Sequence, residues 1–377
     1  MALKKYKLGN LIEQITEQNL KNKYTANDVV GITIEKTIIP TKADVSNTDL
    51  TKFIIIGQND FVYNPRTHGK KIGLGFNSTT NSYIISWNNT AFRIKEEMKN
   101  TILPDFLFVW FNRSEWDRKA CRDSWGSSTE VFSWDSLCDM DIEIPSIEIQ
   151  QKYVNVYKAM VANQKAYEKG LDDLKLVCDA IFTKHNKDNM CSIKELITIS
   201  NKKNTENKLN RKNLRGINEF GEFTTTRDGI KDEKLADYLV IPQNSFAVNF
   251  MCLGNFGKFY LALNESEMDY IVSPACQSFT VSEKLNPNYF RYVVTRSEFQ
   301  RRCVFYGDGN TRGGINISDF GEIEIAVPPI EVQNGIATIF AEYDNRRKIN
   351  NKLKGKIKDL CPILIAGAVQ GAKKEKW

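Results

Sequence analysis

Two stretches of this chain, set far apart, open a long helix in nearly the same words. Pro145-Ser-Ile-Glu-Ile-Gln150 precedes one and Pro328-Pro-Ile-Glu-Val-Gln333 the other, and 183 residues separate Pro145 from Pro328. The match extends backwards. Arg113-Ser-Glu-Trp116 answers Arg296-Ser-Glu-Phe299, and Pro104-Asp-Phe answers Pro287-Asn-Tyr. Tyr83-Ile-Ile-Ser86 answers Tyr270-Ile-Val-Ser273, Gln58-Asn-Asp-Phe61 answers Gln243-Asn-Ser-Phe246, and Gly31-Ile-Thr-Ile answers Gly216-Ile-Asn-Glu. The offsets drift only from 183 to 187, as a few loop insertions would cause. A repeat of this length sets the architecture before any single element is assigned.

Each copy ends in a helix that cannot stand alone. Tyr153, Tyr157, Met160, Gln164, Tyr167, Leu171, Leu174, Cys178 and Ile181 fall at alternating steps of four and three. That spacing is a coiled-coil seam, and a helix with one apolar stripe needs a partner in water. The second copy supplies it at Ile336, Ile339, Tyr343, Arg346, Asn350, Leu353, Ile357, Leu360 and Leu364. Gln164, Arg346 and Asn350 interrupt the seam: either these polar groups fix its register, or Arg346 faces outward in a shifted phase.

Before each helix lie short β-branched and aromatic runs punctuated by Asn, Gly and Asp, which read as strands. In the first copy these are Val29 to Ile34, Phe53 to Ile56, Phe61 to Tyr63, Ile72 to Phe76, Tyr83 to Trp87, Ala91 to Ile94 and Asp141 to Ile144. Lys7 to Thr16 reads as a short amphipathic helix or turn, and one helix is expected over Asp105 to Cys121 and its counterpart over Asn288 to Cys303. The fold class is α+β: two β-rich domains in tandem repeat, separated and joined by two long antiparallel coiled-coil helices. The expected boundaries are 1–146 for the first domain, 147–186 for the first helix, 187–329 for the second domain, and 330–377 for the second helix and tail.

The chain has 52 basic and 46 acidic residues, a net charge of +6, which permits a nucleic-acid partner without demanding one. Cationic and polar turns localise the question. Asn64-Pro-Arg-Thr-His-Gly-Lys-Lys71 sets Arg66, His68, Lys70 and Lys71 on an expected turn between strands, where they could meet phosphates or base edges. A solvated hairpin tip is the alternative. Ser124-Trp-Gly-Ser-Ser-Thr129 offers Trp125, Ser127 and Ser128. Its counterpart, Tyr306-Gly-Asp-Gly-Asn-Thr-Arg-Gly-Gly314, offers Asn310, Thr311 and Arg312. Arg to guanine and Asn to adenine are familiar bidentate pairings. The candidate base readers are Arg66, His68, Asn310, Thr311 and Arg312; the candidate backbone contacts are Lys70, Lys71, Ser127, Ser128 and Lys258. The tips differ between copies while the framework repeats, so two related surfaces are expected to read different things.

Catalysis finds no support in the residues. The histidines, His68 and His185, lie in different copies, and neither G-x-S-x-G nor H-E-x-x-H occurs. The eight cysteines are scattered without C-x-x-C, which argues for reduced thiols and against zinc. No run approaches the roughly 18 apolar residues of a membrane span. The amino terminus, MALKKYKLGN, has no apolar core like that of a secretory signal, so a cytoplasmic chain is expected.

Domain, long helix, domain, long helix is the organisation of the specificity subunit of Type I restriction-modification systems, and the chain resembles that family over nearly its whole length. The residues that carry the resemblance are the two proline-led helix starts, the Gly-containing loops at Gly126 and Gly309, and the Leu8-Gly-Asn-Leu-Ile12 opening. The resemblance implies two target-recognition domains, each reading half of a split double-stranded DNA target, in a system of phage defence. It implies two methyltransferase (modification) subunits using S-adenosylmethionine on adenine, and a translocase-nuclease (restriction) subunit. No cofactor is expected in this chain, and the chemistry resides in those partners. From Tyr153 to Ile181 is roughly 43 Å of helix, against about 34 Å for a turn of B-DNA, so the helices could act as a ruler. A protein-interaction scaffold without DNA is the rival reading of the residues alone.

Overall fold

The computed structural model describes residues 3–68, 71–124, 131–225, 232–252, 257–306 and 314–374. The chain divides into two compact units: Met1–Tyr167 with Asn350–Trp377, and Glu168–Ile349. Each therefore combines one run of strands with a segment of each long helix.

In unit 1 the elements run β1 (Lys4–Lys7), β2 (Ile12–Ile15), β3 (Val30–Ile32), β4 (Ile38–Pro40), β5 (Ile54–Ile56), β6 (Phe61–His68), β7 (Lys71–Phe76), β8 (Tyr83–Ile85) and β9 (Thr90–Ile94). Then come α1 (Pro104–Phe111), α2 (Ser114–Asp123), α3 (Trp134–Cys138), β10 (Asp141–Ile144) and the 39-residue α4 (Ile147–His185). A four-stranded antiparallel sheet in the order β2-β9-β6-β7 is flanked by the pairs β1-β10, β3-β4 and β5-β8. Phe61 on β6 faces Phe76 and Phe92 on its neighbours, with ring centroids 4.7 and 5.1 Å apart. These rings join Phe106, Phe111, Trp116 and Phe132 in one core, to which α4 adds Val154.

Unit 2 repeats this order. Its elements are β11 (Met190–Ser192), α5 (Ile193–Leu196), β12 (Ile197–Ser200), β13 (Arg215–Ile217), β14 (Phe223–Thr225), β15 (Leu239–Ile241), β16 (Phe246–Asn249), β17 (Tyr260–Leu263), β18 (Tyr270–Val272) and β19 (Gln277–Val281). They are followed by α6 (Pro287–Thr295), α7 (Ser297–Tyr306), α8 (Ile317–Glu322), β20 (Glu324–Ala326) and the 45-residue α9 (Ile330–Lys374). The sheet order is β12-β19-β16-β17, with the pairs β11-β20, β13-β14 and β15-β18. Phe246 opposes Phe279, as Phe61 opposes Phe92.

Two expectations are refined or corrected. Of the short helix or turn expected over Lys7 to Thr16, the turn is present, a single 3-10 turn with Leu8 and Leu11 buried, but Ile12–Ile15 is strand β2, and Lys5 and Lys7 reach Asp141 across the β1-β10 pair. The helix expected over Asp105 to Cys121 is two helices. Asn112 ends α1, its amide donating to Phe108 O, and Arg113 turns extended, donating through Nε to Trp110 O while stacking on that indole. Arg296 makes the same break between α6 and α7.

The repeated helix starts now have a physical reason. Gln150 is fully buried. Its Nε2 donates to Thr101 O and Pro145 O at 2.8 and 2.9 Å, and its Oε1 accepts from Leu103 N at 2.8 Å. Gln333 repeats the pattern with Lys284 O, Pro328 O and Asn286 N. Each glutamine ties the first turn of a long helix to the loop that opens α1 or α6.

Within unit 1, α4 and α9 run antiparallel: Tyr153 lies against Gly367, and Gln164 Nε2 donates to Asn350 Oδ1 at 2.9 Å. Both Gln164 and Asn350 are buried, so these two polar positions do lie in the seam. Beside them Tyr153, Tyr157, Met160 and Tyr167 are half-buried on α4, as are Leu353, Ile357, Leu360 and Leu364 on α9. In unit 2, Leu171 and Ile336 are buried and Leu174, Ile339 and Tyr343 half-buried. Arg346 is partly exposed and pairs with Glu342 one turn earlier.

Gln150→Ala should cost about 2 kcal/mol or more, because Pro145 O, in a buried bond, and the partly buried Leu103 N and Thr101 O all lose their partner; chemical denaturation of the full chain measures it, and a loss under about 0.5 kcal/mol would contradict the clamp. Gln164→Leu and Asn350→Leu should each cost about 1–3 kcal/mol, and the double variant less than their sum. Strict additivity in that cycle would show that the two side chains are not coupled.

Candidate nucleic-acid interface

The strand that carries Arg66 is longer than its sequence suggests. β6 continues through Pro65 because its register against β7 shifts between Tyr63 and Thr67, which leaves the donor-less proline outside the ladder. Arg66 and His68 therefore stand on a strand rather than in a turn. Asn64 Oδ1 accepts from Arg66 N at 3.0 Å and fixes the local bend; Arg66 itself is exposed.

This bend also receives the polar loop after α2. Phe132 N donates to Pro65 O at 2.7 Å, and Arg66 bridges to Val131. At the loop's other end Ser124 is buried, its Oγ donating to Cys121 O. Two of the segments singled out from the sequence are thus brought together at their anchored ends. Trp125, Ser127, Ser128 and Lys70 lie outside the described residues, as does the side chain of His68.

Unit 2 repeats the bend. Asn249 Oδ1 accepts from Met251 N at 3.1 Å, as Asn64 Oδ1 does from Arg66 N. Gly314 lies against Phe250 O, the counterpart of Pro65 O. Met251, exposed, therefore occupies the place of Arg66, a position that sequence reasoning passed over. The signal was present in the equal offset of Asn64 and Asn249 from their strands' phenylalanines, Phe61 and Phe246. Asn310, Thr311 and Arg312 lie outside the described residues.

The two described lysines have partners already. Lys71 Nζ lies 3.5 Å from Glu35, which Lys358 also approaches at 3.1 Å. The hydrogen bond from Lys358 leads the causes that lower the Glu35 pKa. Lys258 Nζ lies 3.4 Å from Glu219 and over the Tyr260 ring. These are partly exposed pairs, worth at most about 1 kcal/mol each, so a phosphate could displace either carboxylate.

Both glutamates belong to equivalent turns. Thr33 N to Thr37 O and Lys36 N to Thr33 O in unit 1 recur as Asn218 N to Glu222 O and Gly221 N to Asn218 O. The β13-β14 turn is held by Arg347, which donates to Phe220 O, and by Lys348 near Glu222. Both cations also meet buried Asp344, as does Arg291 at 3.1 Å. Burial alone would raise the Asp344 carboxyl; Arg291, Arg347 and Lys348 together hold it below its ordinary value.

Comparison with known proteins gives this geometry a family. Residues 186–359 match the family model described as Type I restriction modification DNA specificity domain. That segment is similar to a Type I DNA specificity domain. The recognition of the specificity-subunit family from sequence is borne out, and DNA recognition is the coarse role that follows. No curated protein matches the chain. Among solved structures, the S subunit of a Type-I restriction-modification system from M. genitalium is 11% identical, with TM-score 0.55, covering 97% of this chain and 96% of that one. This likeness supports the mixed α and β fold. The HsdS subunit from Thermoanaerobacter tengcongensis is 13% identical with TM-score 0.36, covering 98% of this chain and 97% of that one. A structure described as showing complex assembly and conformational transition of the type I R-M system has TM-score 0.44 at 13% identity, with the same coverage. Among the described residues no helix is long and apolar enough to cross a membrane, and no group of three or more His, Cys, Asp or Glu is placed to hold a metal ion.

Asp344→Asn should cost about 3 kcal/mol at neutral pH, since three cations lose a buried anion. A carboxyl whose folded pKa is depressed stabilises fully above its unfolded value, about 3.9, and loses that contribution as pH falls through the folded value. The gap between wild type and variant, measured by denaturation, should therefore be full at pH 7 and narrow below about pH 4. A gap independent of pH would contradict the assignment.

Proposed function

We propose that this chain is the DNA-recognition subunit of a Type I restriction-modification complex, with each β-rich domain reading one half of a split target. The observation that carries this reading is the internal repeat: the half that matches the specificity-domain model and the half that does not share one strand order, one glutamine clamp and one asparagine-fixed bend. Two copies of a reading scaffold with different tips fit two unlike half-sites. The domains are taken as 1–146 and 187–329, and the helices 147–186 and 330–377 as the spacer that sets the gap between half-sites and docks two methyltransferase subunits. S-adenosylmethionine and adenine methylation belong to those subunits, cleavage to a translocase-nuclease subunit, and the assembly works in the cytoplasm.

Arg66 and His68 in the first domain, and Asn310, Thr311 and Arg312 in the second, are the proposed base readers. Met251 joins them by its equivalence to Arg66. Lys70, Lys71, Ser127, Ser128 and Lys258 are proposed to meet the backbone beside Trp125. Phosphate contacts supply most of the affinity and base contacts the discrimination.

Sequencing of methylated adenines in DNA exposed to the chain with its methyltransferase tests the reading. The expected product is two short specified halves around a fixed gap. Arg66→Ala should relax one half by about 1–3 kcal/mol, roughly 5- to 150-fold, and leave the other unchanged. Equal loss at both halves would show that Arg66 does not read bases. A continuous motif would show that one domain alone reads DNA.

A further inference from the structure

In unit 1 the β3-β4 turn drives a lysine into the interior. Lys36 has φ 60°, and its Nζ reaches Asp117 Oδ2 at 2.8 Å with both side chains buried, 5.1 Å from the centre of the Trp116 ring. Unit 2 builds the same turn with Gly221, φ 72°, at the position of Lys36. Gln300 stands where Asp117 stands, its side chain already satisfied by Phe259 N and Val294 O. Where the first copy buries a long side chain, the second carries none.

Beside Gly221 lies a cavity of about 500 Å³. That volume falls in the range of about 300–1,000 Å³ typical of small-molecule sites. Its walls present the rings of Phe220, Tyr260, Tyr292, Phe340 and Tyr343. Five cations line it, Lys175, Lys258, Arg291, Arg296 and Arg347, against three carboxylates, Asp179, Glu219 and Asp344. The carboxylates are already engaged: Asp344 by Arg291, Arg347 and Lys348, Asp179 by Arg296 and the Tyr292 hydroxyl, and Glu219 by Lys258. Positive charge is left over. In addition the Nε of Arg347 is buried and has no acceptor among the described residues.

We propose that this cavity binds a planar aromatic anion of mononucleotide size. Its ring would lie against the aromatic walls, which favour offset or edge-to-face stacking. Its anionic group would accept from the Arg347 Nε–H and draw on Lys258, since charge-assisted hydrogen bonds are the strong ones. In unit 1 the position of Gly221 carries Lys36, whose side chain is committed to Asp117. The proposal does not depend on the reading of the DNA target.

Calorimetric titration of the full chain with AMP tests it, with adenosine and inorganic phosphate as the two halves of the probe. Saturable one-to-one binding of AMP is expected, with adenosine and phosphate each at least about tenfold weaker. Arg347→Lys keeps a cation beside Asp344 but removes the Nε–H, and should weaken AMP by about tenfold, as the loss of one charged hydrogen bond does. Lys258→Glu, on a partly exposed side chain outside the core, should weaken AMP likewise without lowering Tm. No saturable binding at millimolar AMP, adenosine binding as tightly as AMP, or indifference to both substitutions would each overturn the proposal.

Discussion

A buried glutamine in the first turn of each long helix sets the geometry on which the rest depends. A helix docked only through apolar side chains could rotate or slide by a residue at modest cost, whereas two directed hydrogen bonds to a neighbouring loop, with a third to the helix's own lead-in, allow one rotation. From Gln150 the sevenfold line runs through Tyr157, Gln164, Leu171 and Cys178. Seven residues bring an α-helix back to within about 20° of its starting direction. The face that Gln150 turns inward is thus continued by the seam, and Gln164, Leu171 and Cys178 along it are buried. The clamp and the stripe are one device: the first sets the phase, and the second supplies the burial that makes the phase worth keeping.

The elements legible in the sequence were those in which burial and repetition agreed. β10 was placed to the residue, and the β5, β7, β8 and β9 runs to within two, because their β-branched and aromatic residues face a core. β1 was missed because Lys-Lys-Tyr-Lys pairs only at an edge, held by cross-strand charges to Asp141 that a propensity reading does not weigh. The α1–α2 break was missed because it depends on Arg113 stacking on Trp110, a contact that has no periodicity. Arg66 was singled out by its charge but put in a turn. What keeps it on a strand is the register shift that excuses Pro65, and that is a property of the partner strand.

The two copies also neutralise their interiors differently. Unit 1 pays the strain of a lysine at positive φ, a conformation that bulky residues seldom adopt, and offsets it with the ion pair to Asp117. Unit 2 places glycine there and moves the buried charge to Arg291 and Asp344, which stand where unit 1 has Phe108 and Val161. In both, a carboxylate in the interior is matched by a cation from another element. Burial lowers the pKa of Lys36, while the cations around Asp344 lower that of the carboxyl. The same fold thus tolerates opposite arrangements, provided no charge is left alone.

That tolerance bears on how a duplicated domain can diverge. The bend at Asn64 and the bend at Asn249 use the same side-chain oxygen to hold the backbone amide two residues on, so the backbone is fixed without help from the residue at the bend. Arg66 and Met251 are then free to differ, one offering a fork of donors and the other an apolar, polarisable chain. A surface whose backbone is set by Asn and whose chemistry is set by its neighbour can change what it presents without changing how it folds. This is why the framework of the repeat is written twice in this chain and the tips only once.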